Sequence, residues 1–113
     1  MGLDQYATTI TQEGETEEIA YWRKHPNLQG FMENLYFQKG GTGEFNNVPL
    51  ELTLEDISLL EAHIEEDMLP YTEGFFFGES SGDDEEIEYD LWFCERARNE
   101  IEAGKAVVYS SWW

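Results

Sequence analysis

The residues with reactive side chains are few, apart from the acids. The chain has two histidines, His25 and His63, one cysteine, Cys94, and 25 carboxylates. A histidine beside carboxylates can work as a general base or hold a metal ion, and a cysteine beside a histidine can be a nucleophile. Spacing supports none of these locally. The segment "HIEED" (63–67) has no second histidine four residues on, so it is not a helical zinc-protease motif. Cys94 falls among Ile87, Leu91 and Ile101 on one side of a predicted helix, which makes it a buried structural thiol. A lone cysteine permits no internal disulfide and no cysteine-rich zinc site. "SSGDDEEIE" (80–88) puts its acids in succession, whereas a calcium loop needs alternating ligands, a central Gly and a bidentate Glu at the twelfth position. "KGGTGEF" (39–45) has its glycines after a helix, whereas a phosphate cradle has them before one. No cofactor and no metal ligand set is read from the chain. A small metal-assisted hydrolase would require His25 or His63 to meet acids through the tertiary fold.

The elements that would position these groups follow from the hydrophobic pattern. "LDQYATTI" and "EEIAYWR", separated by "TQEGET" with Gly14 as turn residue, read as a β-hairpin with Ile19 and Tyr21 opposite Ala20 and Trp22. Pro26 can open a helix, and Leu28, Phe31, Met32, Leu35 and Tyr36 continue it at helical spacing until the glycines of "KGGTG". "VPLELT" (48–53) is a short strand. Thr53 is a predicted N-cap with Asp56 at the reciprocal position of a capping box, and the helix over 54–67 carries Ile57, Leu60, Ile64 and Met68 on one stripe. "GFFFG" (74–78) reads as the core of a short strand. A third helix starts near Asp83–Glu85 and ends at Gly104, and "KAVVYSSWW" closes the chain as a strand. The order ββαβααβ implies one α+β domain over 1–113, with a mostly antiparallel or mixed sheet of about four strands and about three helices on one face.

"ENLYFQK" (33–39) spells the recognition sequence of a potyviral protease used to remove purification tags. Such sites sit in flexible termini with Gly or Ser after the Gln. This one is internal, Lys39 follows Gln38, and Leu35 and Tyr36 extend an apolar stripe. It is read as native helix.

Charge is the dominant compositional fact. The formal net charge is −19, with 6 basic side chains. Residues 51–113 hold eighteen of the acids against three bases. Direct binding to DNA or RNA is excluded, because phosphate contacts need clustered Lys and Arg. Anionic membrane surfaces are excluded for the same reason, and the N-terminal segment has no signal-peptide core. A cytoplasmic protein is expected. The acidic faces of the two later helices are the candidate binding residues: Glu55, Asp56, Glu61, Glu65, Glu66, Asp83, Asp84, Glu85, Glu86 and Glu88. They would suit a basic protein, including one that itself binds nucleic acid, with the carboxylates imitating phosphates. The basic cluster "WRKH", Trp22, Arg23, Lys24 and His25, is the candidate anion or pocket site.

"MGLDQYA" (1–7), "EEIAYWRKHPNLQGFMENLY" (17–36), "ELTLEDI" (51–57), "GFFFG" and "SSWW" (110–113) together resemble a family of small proteins encoded by bacteriophages and marine viruses. The resemblance runs over nearly the whole chain. Some similar sequences carry the label phosphoglycerate kinase. That label does not transfer, since the chain is too short for a two-lobed kinase and has no nucleotide-binding loop. The resemblance implies a viral accessory protein acting on a host or phage protein and supplies no catalytic residues. An assembly subunit, packing through Trp112 and Trp113, is the remaining alternative.

Overall fold

A computed structural model describes residues 2–74 and 78–113. The elements are β1 (Asp4–Ile10), β2 (Thr16–Arg23), α1 (Pro26–Gln38), β3 (Leu50–Leu52), α2 (Leu54–Glu65), α3 (Asp84–Glu102) and β4 (Ala106–Trp112). The expected order ββαβααβ is present, and the fold is α+β. The strands form one antiparallel sheet in the order β2-β1-β4-β3. The reading of "GFFFG" as a strand core falls on residues 75–77, outside the described residues.

Alternation sets the inner face of the sheet. Gln5, Ala7 and Thr9 of β1 are buried and lie opposite Ser111, Tyr109 and Val107 of β4, which β3 then meets with Leu50 and Leu52. The hairpin departs from plain alternation. The register slips between Ala7 and Thr8, so Ile19 is an extra residue in β2, and Ile19 and Ala20 both point inward. A bulge of this kind lets two neighbours share a face. It separates Ile19 from Tyr21, which is exposed, and returns Trp22 to the interior.

Helix termini form for local reasons. Thr53 accepts a hydrogen bond from Asp56 N–H and the Asp56 carboxylate accepts one from Thr53 N–H, so the expected capping box is present. Asp83 caps α3 through Glu86 N–H. Two stripes need correction. Met68 lies past the end of α2 and is 59% exposed, so it does not continue the row of Ile57, Leu60 and Ile64. The deep side of α3 is Asp90, Phe93, Cys94 and Ala97, with Ile87, Leu91 and Ile101 only half-buried and Trp92 exposed. No helix among the described residues is long and apolar enough to cross a membrane.

"ENLYFQ" belongs to α1, whose Leu28, Phe31, Met32 and Leu35 are buried as the spacing required. Tyr36 stacks on Phe45 at 4.8 Å and donates its hydroxyl to the Thr42 carbonyl. A protease that reads extended chain must unwind this helix and pull Leu35 and Tyr36 from their contacts. The tag-removal protease is therefore expected to leave the native protein intact, as checked by mass spectrometry of an overnight digest. Ready cleavage after Gln38 would show that this part of α1 is open chain.

Candidate functional site

The chain reverses sharply after β2. Arg23 and Lys24 are exposed, and Lys24 has a left-handed backbone (φ 57) anchored by its N–H on the Leu3 carbonyl at 2.8 Å. The next residue, His25, is thereby turned inward, and Pro26 starts α1 directly behind it. His25 is 2% exposed. Its main chain is held by Gln5, whose side-chain oxygen accepts His25 N–H and whose amide donates to the His25 carbonyl, both at 2.9 Å.

Both ring nitrogens have partners. Nδ1 is 2.7 Å from Ser80 Oγ, and Nε2 is 2.7 Å from Asp90 Oδ2. Asp90, 2% exposed, also accepts the indole N–H of Trp22 on Oδ1 at 2.8 Å. Glu86, one turn before Asp90 on α3, places Oε1 3.7 Å from Nε2. Glu86 is steadied by the N–H groups of Ser81 and Gly82 and by the Ser81 hydroxyl. The ligand-type atoms of His25, Glu86 and Asp90 all lie within 4.8 Å of one another.

The loop bringing Ser80 to this point is strapped to α1. Thr72 N–H donates to Asn27 Oδ1 at 3.1 Å, and a Cβ on Gly30 would stand 1.9 Å from Thr72 Oγ1, so only glycine allows this approach. Gly78, at φ +73, lies against the Lys24 side chain. Asn27 N–H donates to Ser80 Oγ at 3.0 Å. A cleft of about 210 Å³ lies beside Ser80, lined by Pro26, Asn27, Tyr71, Thr72, Gly78 and Glu79.

Two proton arrangements satisfy this geometry. In one, Ser80 donates to Nδ1 and Nε2–H donates to Asp90. In the other, Nδ1–H donates to Ser80 and a proton on Asp90 Oδ2 donates to the Nε2 lone pair, since two lone pairs do not meet at 2.7 Å. The first has the order of a serine general-base relay. Asn27 N–H, the backbone donor next to Ser80, is spent on Ser80 itself and is not free to hold an oxyanion.

The sequence candidates are thus redistributed. Trp22 and His25 converge on Asp90, while Arg23 turns out to pair with Asp4 at 3.0 Å and Lys24 faces solvent. His63 does not join them. Its Nδ1–H donates to the Leu59 carbonyl at 2.8 Å and its ring packs edge-on against Phe31. Cys94 is fully buried, and its thiol is pushed up to about 12 by desolvation first and by the Glu61 charge second.

The acidic helices also sort themselves. Asp56 is engaged by Lys39, and Glu61 by Arg98 at 3.1 Å. Asp83 is spent as a cap and Glu86 on the loop before α3. Glu55, Glu65, Glu66, Asp84, Glu85 and Glu88 are exposed. Between α2 and α3 runs a groove of about 660 Å³ lined by Glu61, Glu65, Glu88, Leu91, Trp92, Glu95 and Arg98. Trp92 is 43% exposed there. Comparison with protein-family models, curated proteins and solved structures finds no match to this chain.

Asp90, Ser80, Gln5 and Gln29 escaped the sequence reading. Asp90 had a signal: it lies three residues after Ile87 and four before Cys94, an acid on an apolar stripe. Gln5 had another, as the polar member between Leu3 and Ala7 on an inward-facing row.

Asp90→Ala should leave the Trp22 indole and the His25 ring facing a void, costing about 2–3 kcal/mol in urea unfolding. Glu85→Gln, at an exposed carboxylate five positions earlier on the same helix, should cost almost nothing. The Cys94 thiol should resist a thiol-specific reagent at pH 8 in the native protein and react once in urea. The raised thiol value also means that stability is held below the unfolded thiol range near about 8.5 and declines as pH rises towards the folded value. Cys94→Ala should remove the part of that slope that begins near about 8.5 and leave the part that begins near about 10, where the Tyr109 hydroxyl, also pushed up by burial, takes over.

Proposed function

We propose that this is an acidic binding protein of viral type, acting on a basic protein of the host or the phage in the host cytoplasm. The α2–α3 groove is the contact surface. The observation that carries this reading is the pairing of unmatched charge with an exposed aromatic. Glu65, Glu88 and Glu95 have no Lys or Arg within salt-bridge distance among the described residues, and Trp92 lies among them. A Lys- or Arg-rich segment fits that surface chemically. Its cations neutralise the carboxylates, one can lie over the Trp92 face, and its aliphatic stems cover Leu91. The same side chains that a nucleic-acid-binding protein uses on phosphates would serve here, which is the physical content of phosphate mimicry. The sequence resemblance to bacteriophage and marine-virus proteins agrees with an accessory role of this kind.

An arginine-rich peptide labelled for fluorescence anisotropy tests the reading. Binding should weaken steeply between low and moderate salt, because exposed charges are screened over about 8–10 Å. Trp92→Ala should weaken it about fivefold, for a cation–π contact of roughly 1 kcal/mol. The decisive comparison is between Glu88→Lys with Glu95→Lys and Glu13→Lys with Glu15→Lys. The two double variants have equal net charge, but the second pair lies on the hairpin turn. Loss confined to the groove pair supports the groove. Equal loss in both would reduce the effect to bulk charge and end the proposal.

A further inference from the structure

The cluster around His25 lies away from the α2–α3 groove and has a different chemistry. We infer that His25, Glu86 and Asp90 form a binding site for a single divalent transition-metal ion, with Zn²⁺ the best match. The inference rests on convergence, donor type and support, and is independent of the binding role proposed for the groove.

Convergence comes first. One imidazole nitrogen and two carboxylate oxygens lie within 4.8 Å of one another. Glu86 and Asp90 are four apart on α3 and so share a face, and His25 arrives from the β2–α1 corner. The shortest edge, 2.7 Å between Nε2 and Oδ2, is a hydrogen-bond distance. Two ligands at about 2.0 Å from a tetrahedral ion stand roughly 3.3 Å apart. An ion replacing the shared proton therefore needs a widening of about 0.6 Å, within reach of small side-chain rotations. The Glu86 edge, at 3.7 Å, needs to close slightly.

The donor set decides the ion. One nitrogen and two oxygens suit Zn²⁺ and its neighbours, whereas Ca²⁺ and Mg²⁺ want six or more oxygens. Three protein ligands leave a fourth position for water. That position falls on the Glu86 side, where the side chain is 19% exposed while His25 and Asp90 are each at 3%.

Support is already built. A histidine that ligates through one nitrogen is usually fixed by a hydrogen bond from the other. Here Nδ1 meets Ser80 Oγ, which selects Nε2 as the nitrogen facing the carboxylates. Trp22 takes the second oxygen of Asp90, leaving Oδ2 as its single ligand atom. Ser81 and Gly82 aim Glu86. Nearly every outer partner that a three-ligand ion requires is in place, and the site holds two carboxylates against one imidazole in a largely dry setting, where a bound dication balances the charge.

The test uses the full chain, stripped with a chelator and titrated by calorimetry with Zn²⁺ alone and then Co²⁺ alone. One saturable equivalent is expected, with a raised thermal midpoint and, for Co²⁺, the strong visible absorption of a four-coordinate ion. Glu86→Gln and Asp90→Asn should each weaken binding at least tenfold. Both variants keep an acceptor oxygen for the Gly82 and Trp22 N–H groups, and the Ser81 N–H that Glu86→Gln releases is on an exposed residue that water can satisfy, so both retain the fold, as circular dichroism checks. Glu85→Gln should bind as the parent does. Overturning results are the absence of a saturable equivalent, or an equivalent that Glu86→Gln and Asp90→Asn leave untouched, which would place the ion on the general acidic surface.

Discussion

The structure depends on a thread of buried polar contacts that runs through its interior. It begins at the Phe45 carbonyl, which accepts the Gln29 amide, and passes from Gln29 to the Tyr109 hydroxyl, on to Gln5, and from Gln5 to both main-chain groups of His25. The His25 ring then reaches Asp90, and Asp90 reaches Trp22. One thread therefore ties α1, β4, β1, the β2–α1 corner, α3 and β2. Buried polar groups stabilise only when paired, and an unpaired one costs more than a surface bond is worth. Each residue of the thread thus constrains its neighbour's position. Around it the aromatic core closes, with Trp22 edge-on to Phe93 at 4.9 Å and to Tyr89 at 5.7 Å.

This constraint answers a problem set by the charge. A chain with 25 acids and 6 bases repels itself, and most of its ion pairs are at the surface, where each is worth little. Arg98 with Glu61, and Arg96 and Lys105 around Glu100, relieve only a few carboxylates. The helix layer, carrying most of the acids, is held to the sheet from within, by burial of α3 and by the His25–Asp90–Trp22 contacts. The outer surface of α2 and α3 is then free to stay negative, which a basic partner would use.

The sequence revealed the elements better than their meeting points. Element order, the Thr53–Asp56 capping box, the start of α1 at Pro26 and the burial of Cys94 all follow from local chemistry, and local chemistry is visible in one dimension. The inward turn of His25 is not. It depends on a left-handed Lys24, on a glycine at 30 that admits Thr72, and on a loop that returns Ser80 across fifty-five positions of chain. The bulge at Ile19 was hidden as well, since an extra residue in a strand leaves no mark on composition. Among the acids, spacing could not separate those engaged by partners in the fold, such as Asp56, Glu61, Asp83, Glu86 and the buried Asp90, from those left to solvent. Only the tertiary pairing does so.

Hydrogen exchange at the Trp22 indole tests the account at its centre. If the thread is closed as described, the Trp22 Nε1–H is sealed against Asp90 and exchanges only when the whole protein unfolds, so its protection should match that of the slowest amides of β1 and β4. Trp112, beside Asp4 at the same end of the sheet but 55% exposed, provides the internal reference for free exchange. If the Trp22 indole proton exchanges as fast as that of Trp112, α3 is not fastened to the sheet through Asp90, and the central claim is wrong.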